Sequence, residues 1–118
     1  MTTKECYEKI GSNYESILGR FGSEALVKRF ALKFLKDPSY AELSEALEAR
    51  DAERAFRAAH TLKGVCLNLG FDRLYEISAA MTEDLRGRYI NGGDRLFSEL
   101  TTCYEQLTDV IRQLEAEA

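Results

Sequence analysis

The spacing of apolar residues constrains this chain more than any other feature of its sequence. Leu96, Leu100, Cys103, Leu107, Val110 and Leu114 recur at alternating steps of four and three, which places them on one stripe of an α-helix and makes a seam that must be covered. The same spacing runs through most of the sequence. Glu, Leu, Ala, Arg and Lys dominate, Pro38 is the one proline, and polar and β-branched residues nowhere alternate as a half-buried strand requires. The spacing predicts an all-α fold, with the seam forming the core side of a helical bundle; a homodimeric coiled coil is the other outlet for such a stripe.

With 118 residues, 45% of them hydrophobic, the chain is long enough to bury one core without metal or disulfide staples, so residues 1–118 read as a single domain. A formal net charge of -4 leaves no surplus of cations to displace counterions from nucleic acid or to hold an anionic membrane surface. No apolar run approaches the roughly 20 residues needed to cross a bilayer, and the N-terminus lacks a basic stretch followed by an apolar segment. A cytoplasmic location is expected. Cys6, Cys66 and Cys103 are odd in number, form no CxxC pair and have only one histidine to join them, so neither a disulfide framework nor a metal site is expected. The opening methionine and the lack of a linker at either end favour a free-standing domain.

Turn and cap residues divide the chain. Residues 3–10 form a short helix stopped by Gly11, and Ser12-Asn13-Tyr14-Glu15 has the capping-box pattern that starts a second. Gly22 and Ser23 precede a longer segment that Asp37-Pro38 ends, since the residue before proline is pushed out of the α region. The next helix carries Tyr40, Leu43, Ala46 and Leu47. Asp51 caps a helix that Gly70 closes, Asp72 caps another reaching about Arg88, Asn91-Gly92-Gly93 is a loop, and the final helix starts at Asp94.

The helix from Asp51 to Leu69 contains His60, the only histidine. At about 100° per residue, Ala52, Ala55, Ala58, Ala59, Leu62, Val65, Cys66 and Leu69 fall within an arc of roughly 140°, the width of a core-facing stripe. His60 lies about 150° from the middle of that arc and faces away from the core. Phe56, Lys63, Gly64 and Leu67 share its face.

Gly64 costs about 1 kcal/mol relative to alanine inside a helix. It either admits a neighbouring helix or clears space beside the imidazole. Lys63 is either an ordinary solvated lysine or a cation set beside a negative charge on that ring. Together, an exposed imidazole, a cation and a cleared approach describe a nitrogen nucleophile for an anionic group, most naturally a phosphoryl group. Phe56 and Leu67, apolar and on the same face, are candidates for docking a partner protein. Two other functions compete for these residues: a hydrolase with His60 as general base or metal ligand, and a non-phosphorylated helical-bundle adaptor that binds a signalling partner.

The stretch FRAAHTLKGVCLNLGFDRL, with its His-Thr-Leu-Lys-Gly centre, closely resembles the signature of histidine-containing phosphotransfer (HPt) domains. RFGSEALVKRFALKFLKDPSYAELSEALEARD, upstream, resembles the two helices that precede the phosphorylated helix in that family. The resemblance implies an antiparallel four-helix bundle with short accessory N-terminal helices. It implies that His60 carries the phosphoryl group, that Lys63 assists electrostatically and that Gly64 gives access. Thr82 stands where family members often have a glutamine bonded to the ring, its neighbour Glu83 is a second group within reach, and Arg86 matches a second cation. The implied protein is a phosphocarrier with no kinase or nucleotide site and no metal or other cofactor of its own, expected as a monomer. Its implied partners are receiver domains of response regulators, which supply the divalent cation, and hybrid histidine kinases.

Overall fold

The computed structural model describes residues 1–90 and 93–117. It contains helices α1 (Thr3–Lys9), α2 (Tyr14–Phe21), α3 (Glu24–Lys33), α4 (Ser39–Glu48), α5 (Ala52–Leu69), α6 (Asp72–Asp84) and α7 (Gly93–Ala116), with a 3₁₀ turn over Phe34–Lys36. The described residues contain no strand, and the all-α class holds. None of these helices is long and apolar enough to cross a membrane.

Local chemistry sets most boundaries. Thr2 and Glu5 form a reciprocal capping box at the start of α1. The second helix is capped by Asn13, whose side chain accepts from the Ser16 amide; Ser12, expected in that role, instead accepts from the Asp72 amide at 3.4 Å. Gly22 ends α2 in the left-handed conformation, and Ser23 caps α3 by accepting from the Leu26 amide. Pro38 stands just before α4 as its N-terminal boundary residue. Asp51 caps α5 through the Arg54 amide at 3.1 Å, and Gly70 closes it at φ 73°. Asp72, expected as the cap of α6, is instead its first helical residue, behind Phe71, which makes no side-chain capping bond, and the helix ends at Asp84, short of the expected Arg88. Of the loop expected at Asn91-Gly92-Gly93, Asn91 and Gly92 lie outside the described residues, and Gly93 is instead the first residue of α7, one before the expected Asp94.

Helix α5 packs against α4 and α6, and α6 packs against α7. Tyr40 of α4 completes the circuit: its ring stacks on Tyr104 and Phe97 of α7 at 4.0 and 5.7 Å, and its hydroxyl bonds Thr101 at 2.9 Å. The seam of α7 is consumed inside the chain, where Leu100, Cys103, Leu107 and Leu114 are buried; Ile111 is buried and Val110 only partly so. Helices α1 and α3 pack against α7. Tyr7 of α1 lies within one aromatic cluster with Phe71 and Phe34, and its buried hydroxyl donates to the Leu69 carbonyl at 2.7 Å.

Candidate functional site

Helix α5 turns one face inward, burying Ala55, Ala58, Ala59, Leu62, Cys66 and Leu69. Small side chains here let the neighbouring helices approach closely, so both α4 and α6 can hold the same helix. Ala52 and Val65, at the two edges of the expected stripe, are half-buried. The opposite face carries His60, which is exposed. A side chain fixed near the middle of an 18-residue helix, well away from its fraying ends, has a rigid base.

One turn from the imidazole, Gly64 faces open space, as Gly19 does inside α2. An added Cβ would meet nothing within 4 Å, and its φ lies outside the left-handed region. Neither close helix packing nor backbone conformation therefore requires glycine at this position. Lys63 is half-buried. Behind the hydrogen bond and charge of Arg86, the Lys63 charge adds a smaller part to the lowering of the Glu83 carboxyl on α6. Leu67 is 52% exposed, whereas Phe56 is half-buried. The Phe56 ring lies nearly parallel to the His60 ring, with centroids 6.1 Å apart and planes 9° from parallel, an offset aromatic pair.

Beyond α6 lies a group of charges. Arg86 pairs with Glu83 through two hydrogen bonds, from Nε at 3.0 Å and Nη2 at 2.7 Å. The Arg86 hydrogen bond, followed by its charge, holds the Glu83 carboxyl below its ordinary range. The Arg86 guanidinium also lies 5.6 Å from the Phe56 ring centroid. Arg88 sits closer, with its guanidinium carbon 3.7 Å from that centroid. Its Nε pairs with Glu53, and its Nη1 donates to the Arg86 carbonyl at 2.8 Å. Glu83 and Glu53 thus each bond an arginine.

Two groups considered for orienting the imidazole are otherwise engaged. Thr82 is fully buried and gives its hydroxyl proton to the Ser78 carbonyl at 2.7 Å; Glu83 binds Arg86. No hydrogen bond joins either to His60, and the structure does not bring Thr82 together with the exposed ring. The aromatic partner of His60 is Phe56. Among the described residues, no three His, Cys, Asp or Glu side chains gather to hold a metal ion, and the three cysteines are buried free thiols.

Sequence reasoning missed Arg88. Its signal was the triplet Arg86-Gly87-Arg88, because glycine there marks a turn rather than a helix reaching Arg88. It also missed Arg20, whose Nη1 donates to the Leu67 and Asn68 carbonyls at 2.8 and 3.0 Å, so that α2 braces the C-terminal end of α5 beside exposed Leu67.

The family model described as the Hpt domain matches residues 39–116, a stretch running from the first residue of α4 to the last of α7. No curated protein and no solved structure matches the chain. Matched over more than half its length, with the matched residues forming the helical circuit that presents His60, the chain belongs to the Hpt domain family, whose domains serve histidine phosphotransfer in phosphorelays.

Proposed function

We propose that this protein is a phosphorelay carrier that holds a phosphoryl group on His60 and exchanges it with receiver-domain aspartates, or accepts it from a histidine kinase. In the accepting direction, an unprotonated ring nitrogen of His60 attacks phosphorus, the N–P bond forms, and the P–O bond to the donor aspartate breaks, leaving its carboxylate. The return step reverses these bonds. The docked receiver supplies the divalent cation. His60 supplies the nucleophile on a rigid helix, and Lys63 and Arg86 supply positive charge for the phosphoryl oxygens. Phe56 and Leu67 contribute apolar surface to the docking face. We assign the carrier to the cytoplasm, as a monomer without a nucleotide site.

The observation that carries this reading is the open space at Gly64 beside an exposed histidine. The glycine costs helix stability, and the fold gives no reason for it; a bulky reactant approaching the ring does. Incubation with a phosphorylated receiver, or with a kinase and its receiver, should place an acid-labile, base-stable label on the wild type and none on His60→Gln. Absence of label from a broad panel of receivers, with receiver binding retained, would instead make the protein a non-phosphorylated adaptor.

A further inference from the structure

The described residues give the His60 ring no hydrogen-bond partner, so its orientation rests on packing. The packing surface is the Phe56 ring, offset-stacked with the imidazole at 6.1 Å. Phe56 is itself held. The Arg88 guanidinium lies 3.7 Å from its centroid, a close cation–π contact. Arg88 is in turn fixed at two points, by the Glu53 carboxylate on the first turn of α5 and by the Arg86 carbonyl at 2.8 Å.

The backbone indicates that this arrangement is maintained at a cost. Arg88 adopts the left-handed conformation at φ 64°, which L residues other than glycine seldom enter. Gly87, immediately before it, does not take that conformation. A Cβ at Gly87 would lie 2.9 Å from the far end of the exposed Tyr89 side chain, which is free to swing aside, and the left-handed position falls to an arginine although a glycine stands next to it. That backbone accompanies a placement of the Arg88 side chain, beyond the C-terminal end of α6, against Glu53 and Phe56 near the start of α5.

We infer that Arg88 is a positioning residue for His60: anchored by Glu53 and the Arg86 carbonyl, it clamps Phe56, and Phe56 fixes the rotamer of the imidazole. This deepens the carrier function and rests on it for its kinetic consequence alone; the effect on the ring exists whether or not the histidine is phosphorylated. Arg88 touches neither the imidazole nor the reacting phosphorus. Its effect passes through one phenyl ring.

Because His60 is the only histidine, a labelled protein gives one imidazole spin system. Side-chain couplings about χ1 should report one dominant rotamer in the wild type and in Arg88→Lys, which keeps the cation. They should report rotamer averaging in Arg88→Ala, Arg88→Gly and Glu53→Gln. Arg88→Gly matters because glycine accepts the left-handed backbone, so that variant keeps the turn while losing the clamp.

Phosphoramidate, a donor too small to need a docking face, transfers its phosphoryl group to the ring with loss of ammonia. Its labelling rate should fall about three- to tenfold in Arg88→Ala and Arg88→Gly, as expected for a misdirected nucleophile. In a Phe56→Leu background, Arg88→Ala should add no further loss. An unchanged χ1 distribution in both Arg88 variants would overturn the inference. So would an unchanged phosphoramidate rate with slowed transfer from a receiver, since Arg88 would then be a docking cation. If the wild type takes no label from phosphoramidate or receiver, the carrier reading falls, while the couplings still decide whether Arg88 positions the ring.

Discussion

A methyl group at position 64 would meet no atom within 4 Å, so Gly64→Ala removes a helix-weakening residue without a clash. The variant should be more stable by about 1 kcal/mol in urea unfolding. Its phosphotransfer should nevertheless slow by about tenfold or more, because the methyl projects where the reacting groups meet. Opposite signs in the two measurements separate room kept for a reactant from ordinary helix design. Glu83 offers a complementary test. Its carboxyl is held low by Arg86 and then by Lys63, so it is ionised at neutral pH and draws on the two cations expected to serve the phosphoryl group. Glu83→Gln should slow loss of phosphoryl from His60 by about threefold, in line with the small free energy of exposed ion pairs. The contrast between variant and wild type should shrink in high salt.

The helices differ in how far their sequences alone determine them. Phase alone placed His60 outward and Ala55, Ala58, Ala59, Leu62, Cys66 and Leu69 inward, because an amphipathic helix clamped between neighbours has little freedom in choosing its buried face. Asp51 was legible as a cap for a similarly local reason: a carboxylate at that point satisfies otherwise unpaired amides. Asp51→Ala should cost about 1 kcal/mol, measured as a lower urea midpoint with unchanged slope. The end of α6 was legible only as a turn near Gly87, not to the residue. It stops at Asp84 without a glycine in the left-handed position, and Arg88 takes that conformation four residues later. Long-range contacts to Glu53 and Phe56 hold Arg88 there, and no local pattern encodes them. At the corner after α4, where Arg50 is left-handed at φ 56°, the bonds are instead local, from the Arg50 amide to the Leu47 carbonyl and from the Asp51 amide to the Ala46 carbonyl. Thr82 illustrates the remaining gap: its position in the motif suggested a partner for the imidazole, but its hydroxyl bonds the preceding helical turn.

Across the whole molecule, α1 to α3 and the four helices matched to the family share one core. Cys6, Tyr7, Ile17, Val27, Ala31 and Phe34 belong to the same buried cluster as Leu62, Leu100 and Ile111. Chemical unfolding should therefore show a single transition, with probes on α1 and α5 superimposing. Tyr7→Phe should lower stability by about 1–2 kcal/mol, since it leaves the Leu69 carbonyl without its buried donor. The thiols add a pH dependence. Burial pushes Cys6 from an ordinary value of 9.0 up to about 11 and raises Cys66 as well. Between these values the folded chain keeps a proton on Cys6 that the unfolded chain releases, so stability is full below about pH 9 and falls as pH rises towards 11. Alkylation at pH 8 should modify all three cysteines only on unfolding.

The pairing of Glu53 with Arg88 and of Glu83 with Arg86 has a consequence for timing. A carrier delivers its cargo only if it meets the next partner before water does. The fraction delivered is the rate of productive encounter divided by the sum of that rate and the rate of hydrolysis. A carboxylate held by a guanidinium is a poor base for activating water. In the proposed carrier each arginine would thus act on the denominator, lengthening the interval during which a phosphoryl group on His60 could still be passed on.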